Sequence, residues 1–255
     1  MEILVCIKRV PITGAHIPIS EDGQEVVTRN LGFTIGPHEE CAVEEAVQIV
    51  ERMGGGVTVL TLGPDEAEKQ LRDAMSVGAD RAILLQTDGR EWGPMATANA
   101  IVDAVRAEAA AGQEFDLLLF GNEAADSGGY QVGIRVANAL GLPCVSGIKG
   151  IEIRDDGTIV ARREAGGGWE IYELPLPAVI AVKEGLNLPR YPSVPGRLRA
   201  KKKPLQTAEP EWKGGGLEMI RLVNPPQQGS SVQILGNGAA AAPKVVEVLK
   251  ELGLI

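Results

Sequence analysis

Cysteine and histidine are scarce in this chain, and their scarcity limits its metal and disulfide chemistry. Only three cysteines occur, at positions 6, 41 and 144, and no two form a C-x-x-C pair. An odd, widely spaced set of thiols predicts neither a disulfide framework nor a zinc site, so each is expected to be a small buried apolar group. The two histidines, His16 in a loop and His38 on the surface of a first helical turn, lie in no H-E-x-x-H motif. We therefore predict no metal site.

Long apolar runs and a basic leader are also lacking. The longest apolar stretches, such as residues 178–182, are far shorter than the 18 or more residues of a membrane-spanning helix. An acidic residue, Glu2, follows the first methionine, and residues 1–8 are typical of a strand rather than of a secretory signal. The sequence thus predicts a cytoplasmic chain without membrane insertion.

Positive charge is in deficit. Lys and Arg number 25 against 34 Asp and Glu, which gives a net charge of −9. Nucleic-acid binding depends on basic side chains that neutralise phosphates, so no nucleic-acid partner is predicted. Five bases do cluster within residues 197–203, and a solvated basic arm is the simpler interpretation of them.

What the sequence does contain is the repeating pattern of an α/β protein, in a chain of 255 residues that can bury a sizeable core. Apolar runs of strand length, rich in β-branched residues, recur, and helix-length segments separate the first four. These runs occupy residues 3–7, 57–61, 82–85, 116–120 and 178–182. Runs that are apolar on both faces predict a doubly wound, mostly parallel sheet covered by helices on both sides.

Helices are predicted between the strands and at the end of the chain. Pro37 opens the first, with Glu39 and Glu40 in its first turn and Gly54 after its end. Glu44 and Glu45 are assigned to the solvated face of this helix. The predicted helices span residues 37–53, 64–77, 96–111, 129–140 and 243–252.

The pattern changes after residue 142. Residues 150–154 and 158–162 flank an Asp-Asp-Gly turn, which predicts an antiparallel hairpin, and residues 169–174 suggest a third antiparallel strand. Residues 187–216 are rich in proline, glycine and basic residues and predict an extended arm. We divide the chain into an α/β domain, 1–186, and a region of arm plus terminal helix, 187–255, which must lie on the body or on a partner to bury its apolar face.

A glycine-rich loop is the richest candidate site. It covers residues 121–131, directly after the strand that ends at Phe120 and before a helix. Ligands of doubly wound sheets bind at the carboxyl ends of strands, where a helix N-terminus offers N–H groups to phosphate and Gln131 offers a side-chain donor. An ordinary strand-to-helix turn is an equal alternative from the loop alone.

Other nucleotide and catalytic motifs are missing. The chain has no G-x-x-x-x-G-K-[ST] and no G-x-G-x-x-G, and the connection from the first strand to Pro37 is unusually long, at about 29 residues. No Ser, Cys or His stands in a recognisable nucleophile context. An ATP pyrophosphatase would need a complete loop after the first strand, which is absent. These features predict a protein that holds a nucleotide or another cofactor without transforming it.

The motifs taken together resemble those of the β subunit of electron transfer flavoprotein, over nearly the whole chain. The resemblance is carried by Lys8-Arg9-Val10-Pro11, residues 42–46, Gly63-Pro64, residues 78–81, 121–133 and 162–179, Pro189-Arg190-Tyr191 and residues 200–204. It implies an adenine-nucleotide-binding Rossmann-like fold. It also implies a heterodimer with an α subunit that holds most of the FAD, while this chain holds AMP, or a second FAD in electron-bifurcating relatives. The low aromatic content, 4%, agrees with a chain that is not the principal flavin binder.

The resemblance also implies the site residues and the partners. The nucleotide contacts carried over are Cys6, Gly36, Pro37, Leu62, Gly63, Gly121, Ala124, Asp126, Ser127, Gly128, Gly129, Tyr130, Gln131 and Val132. A docking loop for partner flavoprotein dehydrogenases, such as acyl-CoA dehydrogenases, comprises Pro189, Arg190, Tyr191, Pro192, Ser193, Val194, Pro195 and Gly196. A quinone oxidoreductase is the expected acceptor, and the chain is expected to be an electron carrier rather than an enzyme.

Three departures from the family pattern stand out, and one of them leaves the identity of the nucleotide open. Gly36 stands where an asparagine is common, which leaves only backbone contacts there, and Val194 is a smaller anchor than the usual leucine. The residues between Asp126 and Gln131 match neither AMP-binding nor bifurcating relatives well, so AMP and a second FAD are both retained. A stand-alone adenine-nucleotide-binding module is the alternative from another class.

Overall fold

The computed structural model describes residues 1–12, 17–214, 219–226 and 232–255. The expected loop position of His16 lies outside these residues. The strands are β1 Glu2–Cys6, β2 Arg9–Pro11, β3 Phe33–Ile35, β4 Gly56–Gly63, β5 Arg81–Gln86, β6 Leu117–Gly121, β7 Cys144–Ile153, β8 Ile159–Ala165, β9 Gly168–Leu174, β10 Ala178–Val182 and β11 Leu205–Ala208. The α-helices are α1 Pro37–Met53, α2 Glu68–Val77, α3 Pro94–Ala110, α4 Val132–Leu140, α5 Val194–Ala200 and α6 Ala242–Glu251.

Nine strands form one mostly parallel sheet, in the order β11-β5-β4-β1-β6-β10-β7-β8-β9. All neighbours from β11 to β7 pair in parallel, whereas the pairs β7–β8 and β8–β9 are antiparallel, so that β8 alone runs against the other strands of the sheet. The sheet is wound on both faces, because alternate residues of β1 enter two separate cores. Ile3 and Val5 pack with α1 and α2, whereas Leu4 and Cys6 pack with α3 and α4. The predicted doubly wound fold is confirmed.

The local predictions are mostly confirmed as well. The first helix has the predicted bounds, and the antiparallel strands β7, β8 and β9 lie where the hairpin pattern placed them. The helix predicted over 64–77 begins with a 3₁₀ turn, Asp65–Ala67. The helix predicted over 129–140 begins only at Val132, because Gly128 has a φ of +61° and residues 129–131 stay in the loop.

The long connection between β1 and α1 contains a small antiparallel sheet of β2 and β3. The Arg9 guanidinium lies 3.3 Å from the centroid of the Phe33 ring, a cation–π contact between the two strands. The connection therefore leaves the sheet and returns to it, which delivers Gly36 to the edge where β1 ends.

The prediction of an extended arm over residues 187–216 is wrong in two places. Residues 194–200 form α5, and residues 205–208 form β11, which pairs in parallel with β5 at the border of the main sheet. A seven-residue helix is too short to show a clear apolar period, and β11 exists because the border strand β5 offers unpaired backbone groups. The division of the chain at residue 186 stays a prediction.

The interpretation of residues 197–203 as a solvated basic arm also fails at Lys203. Its Nζ donates to the carbonyl oxygens of Ala79 at 2.6 Å and Met75 at 3.2 Å, at the C-terminal end of α2. In return, the Arg72 guanidinium on α2 donates to the carbonyl oxygens of Ala200 at 2.8 Å and Lys203 at 2.7 Å, at the end of α5. The C-terminal end of α2 is thus bound by the Lys203 ammonium group, and that of α5 by the Arg72 guanidinium group. A positive charge is favourable at the C-terminal end of a helix.

Replacing Lys203 by methionine is expected to lower the free energy of unfolding by about 1 to 3 kcal/mol, because half-buried carbonyl groups lose a charged donor. The exposed neighbour Lys202 provides the matched control, Lys202→Met, which should change stability little. Urea unfolding of both variants measures the difference. Equal unfolding midpoints for the two variants would contradict the capping role of Lys203.

Candidate functional site

The predicted nucleotide contacts gather at one edge of the sheet. Cys6 lies beside Leu60 of β4 and Phe120 of β6, because both strands pair with β1 in parallel. The residues that follow these positions, Leu62 and Gly63 on β4 and Gly121 on β6, therefore occupy the same carboxyl edge. Cys6 is buried, and burial raises the pKa of its thiol, so it acts there as an apolar group.

The start of α1 packs against the glycine-rich loop. A Cβ on Gly36 would lie 3.5 Å from the Cβ of Ala125 and well inside contact distance of the Glu39 carboxylate. A Cβ on Gly121 would lie 2.8 Å from the Cδ of Glu39. Glycine at both positions therefore makes the slot that the Glu39 side chain fills. The Gly36-Pro37 turn and the loop lie together, as the family resemblance implied.

Glu39 is a buried carboxyl group at this edge, although the sequence indicated only an acid in the first turn of α1. It is 4% exposed, and its Oε2 is buried without a hydrogen-bond partner. Burial raises the pKa of Glu39 to about 7. The sequence signal for this burial was the pair of glycines at positions 36 and 121, which leave room for a side chain between them.

The glycine-rich loop is held by hydrogen bonds within its own residues, and it leaves the N-terminus of α4 without a side-chain cap. The Gly128 N–H donates to the Ala124 carbonyl oxygen at 2.8 Å, and the Asp126 carboxylate accepts from the Ser127 N–H at 2.8 Å. No side chain caps α4 at Gln131. The first N–H groups of α4, from Val132 onward, thus have no partner within the helix.

Two of the predicted side chains in this loop are either exposed or already hydrogen-bonded within the chain. Tyr130 is exposed. The amide oxygen of Gln131 accepts from the Arg135 guanidinium at 2.8 and 3.1 Å, so this side chain is already engaged within α4. The groups that the loop offers to a ligand are therefore mainly backbone N–H groups, including those of Gly129 and Tyr130.

Lys8 also lies at this edge, although neither the sequence pattern nor the resemblance implied it as a site residue. Its Nζ lies 2.7 Å from Glu91 Oε1 and 2.8 Å from Asp126 Oδ2. Burial would lower the pKa of Lys8, but the carboxylates of Glu91 and Asp126 outweigh burial and raise it. The sequence signal for its place at this edge was its position shortly after β1, since the other edge residues also follow their strands.

His38 connects the loop to the segment after β10. Its Nδ1 accepts from the Glu184 N–H at 2.7 Å, and its Nε2 lies 3.3 Å from Glu123 Oε1. Because Nδ1 accepts, the neutral ring carries its proton on Nε2 and donates to Glu123. The side chain is largely buried, so the surface position expected for His38 is wrong.

The predicted docking loop has both outward and inward side chains. Tyr191 is 96% exposed and Val194 is 74% exposed. Arg190 instead points to the glutamates of α1, Ser193 caps α5 by accepting from the Gly196 N–H at 3.1 Å, and Gly196 is buried against α2. The remaining members of the loop are Pro189, Pro192 and Pro195.

The assignment of Glu44 and Glu45 to a solvated helix face is wrong. These side chains are 4% and 6% exposed, because the segment after β10 covers them. Arg190 and Asn187 of that segment are their hydrogen-bond partners. Both partners lie more than 140 residues away in the chain.

Comparison with known proteins places this architecture in a family. Residues 25–211 match the model of the electron transfer flavoprotein domain. The chain belongs to the electron transfer flavoprotein β-subunit family. The β subunit of Syntrophomonas wolfei is 36% identical to it over 98% of this chain and 96% of its own length, and that of Bacillus subtilis is 35% identical over 98% of both. Subunit CarD of the caffeyl-CoA reductase–Etf complex of Acetobacterium woodii is 31% identical over the full length of both chains.

Two further features of this β subunit concern what its described residues lack. Within residues 1–12, 17–214, 219–226 and 232–255, no helix is long and apolar enough to cross a membrane. The same ranges contain no group of three or more His, Cys, Asp and Glu side chains that is placed to hold a metal ion.

The buried carboxyl of Glu39 predicts a pH dependence of stability. Its pKa rises from 4.5 in the unfolded chain to about 7 in the folded subunit, so folding favours the protonated form. This stabilisation is complete below about pH 4.5 and is lost as pH rises through about 7. Glu39→Gln, which stays neutral, should therefore gain stability relative to the parent by up to about 3 kcal/mol between about pH 5 and about pH 8.

Urea unfolding at these two pH values measures the gain. Glu66→Gln, at an exposed glutamate after β4, is the control and should show no such gain. A difference between the Glu39→Gln variant and the parent that stays constant with pH would show that Glu39 is charged in the folded chain.

Proposed function

We propose that this β subunit forms a heterodimer with an electron transfer flavoprotein α subunit. In that heterodimer it carries electrons between flavoprotein dehydrogenases, such as the acyl-CoA dehydrogenases of fatty acid oxidation, and an acceptor such as a quinone oxidoreductase. The observation that carries the proposal is similarity to β subunits over 98% of the chain and 96% of the first relative's length. We assign the heterodimer to the cytoplasm.

The carboxyl edge of the sheet is the proposed site of AMP. Its groups fit a nucleotide: the open N–H groups at the start of α4 suit a phosphate, and the unpartnered Oε2 of Glu39 suits an amino or hydroxyl donor. Gly128 and Gly129 let the loop backbone come close to a ligand. Nothing at this edge forms a nucleophile with its base, so AMP stabilises the fold by binding to it and is not turned over.

FAD, held mainly by the α subunit, supplies the redox chemistry when bound. This chain contributes the carboxyl edge that binds the nucleotide, the surface that pairs with the α subunit and the docking loop. None of these roles requires a catalytic residue on this chain.

The C-terminal region supports the pairing with an α subunit. No residue of α6 is buried, and its apolar side chains Val245 and Val246 are partly exposed on the helix. The segments before it expose Ile220, Val232 and Ile234. So much exposed apolar surface in one region marks a protein interface, and the α subunit is the partner that we assign to it.

Nucleotide content tests the cofactor assignment. The chain should be co-expressed with the α subunit encoded beside it, and the nucleotides released by acid from the purified complex should be identified and counted. One FAD and one AMP per heterodimer are expected. A count of two FAD per heterodimer would show that a second flavin takes the place of AMP, as in electron bifurcation. If neither a complex nor flavin were found, a stand-alone nucleotide-binding module would be favoured.

The exposed valine of the docking loop tests the transfer function. Val194→Ala removes two carbons from the proposed contact and should reduce kcat/KM for electron transfer from an acyl-CoA dehydrogenase by about fivefold to tenfold. Val27→Ala, at an exposed valine outside the loop, is the control, and both variants should keep the parent's flavin content. Unchanged transfer in Val194→Ala would remove this residue from the docking surface.

A further inference from the structure

Arg190 ties the docking loop to the middle of α1. Its guanidinium donates to Glu44 from Nε at 2.9 Å and from Nη2 at 3.0 Å, and to Glu51 from Nη1 at 2.6 Å and from Nη2 at 2.9 Å. Its backbone N–H also donates to Glu44 Oε2, at 3.0 Å. Side chain and main chain of one loop residue are thus fixed on the same helix.

The pair of Arg190 and Glu44 is an ion pair with one buried partner. Burial would raise the pKa of Glu44, but hydrogen bonds from Arg190 and from Gln48 outweigh burial and lower it. The Gln48 amide donates to Glu44 Oε1 at 2.7 Å. A buried carboxylate whose oxygens are all satisfied in this way holds its arginine in one place, because moving the arginine would leave the charge unpaired.

The loop is fixed on both sides of Arg190. Before it, the Asn187 side chain donates to the Cys41 carbonyl oxygen and to Glu45 Oε2, both at 3.0 Å. After it, Ser193 caps α5, and a Cβ on Gly196 would clash with the carbonyl oxygen of Ser76 on α2, so this turn is in close contact with the body. The chain between these anchors has little freedom.

The apolar side chains of the loop stay in solvent because of these anchors. Leu188, Tyr191 and Val194 are 74% or more exposed, although apolar side chains in a free loop would gain by folding onto the protein. Fixing a loop before it binds reduces the entropy that binding must remove. The anchored loop is therefore a preformed contact surface.

We propose that Arg190 is a positioning residue for electron transfer, which holds Tyr191 and Val194 in the arrangement that the partner dehydrogenase meets. This inference rests on the proposed function. Four of the five guanidinium N–H groups are used within the chain, which leaves one for a partner. Arg190 thus acts through its neighbours in the loop rather than by direct contact.

The test uses the heterodimer with the α subunit and two changes at Arg190. Arg190→Met removes the anchor but leaves Glu44 buried without its cation. The double variant Glu44→Gln/Arg190→Met removes both charges and separates the loss of the anchor from the cost of a buried unpaired carboxylate. Arg52→Met, at an exposed arginine of α1, the helix that carries Glu44, is the matched control.

Two measurements are made on each variant. Hydrogen exchange of the backbone in residues 187–196 should become at least about tenfold faster in both Arg190 variants and stay unchanged in Arg52→Met. With an acyl-CoA dehydrogenase of the same organism as electron donor, KM for that donor should rise about tenfold, while kcat and flavin content stay near the parent's values.

Two outcomes would overturn the proposal. Unchanged exchange in residues 187–196 of both variants would show that Arg190 does not fix the loop, and faster exchange with unchanged KM would show that fixing it does not matter for transfer. Val194→Ala, measured in the same assay, keeps the two inferences apart. If Val194→Ala raises KM and the Arg190 variants do not, the positioning role fails while the docking loop stands; if Val194→Ala also has no effect, the docking function itself fails.

Discussion

The parallel pairing of β1 with β4 and β6 is the interaction on which the rest of the structure depends. The three strands are buried on both faces, so their register is fixed by two cores at once. Parallel strands in register end at the same edge, which is why Lys8, Gly63 and Gly121 lie together although more than 50 residues separate each from the next. The common position of these residues at the candidate site follows from this alignment.

Helix α1 adds the second constraint, because it serves two surfaces. Its first turn lies at the carboxyl edge with Glu39 and His38, and its middle turns hold the proposed docking loop through Glu44 and Glu45. The three buried glutamates of this helix differ in their partners. Glu44 is paired with a cation, Glu45 accepts from an amide, and Glu39 has an oxygen without a partner, so the pKa of Glu44 falls while the pKa values of Glu39 and Glu45 rise.

These glutamates also show where prediction from the sequence ended. The family resemblance implied most of the carboxyl-edge residues, whereas most strands of the main sheet and most helix bounds follow from local pattern and from parallel topology, which the sequence contains. The burial of Glu44 does not, because its cover is a segment that begins after residue 182 and its cation is Arg190. The same limit applies to α5 and β11, which exist because of contacts with α2 and β5 rather than because of their own periodicity. The sequence shows glycines at positions 36 and 121. That they make room for the Glu39 side chain depends on the contact between the start of α1 and the end of β6, which lie far apart in the chain.

The ionisable residues Glu44, Glu45 and Arg190 therefore hold elements of the structure in place. A nucleotide bound at the carboxyl edge would bind only the folded chain, and by mass action it would stabilise the elements that form that edge. Helix α1 is one of these elements, and it also carries the glutamates that hold Arg190. The stability of the proposed docking loop would thus be linked to the stability of the nucleotide edge through one rigid helix, without any contact between the loop and the nucleotide. Under the proposed function, this link gives a structural nucleotide a reason to be retained in a subunit that does not transform it.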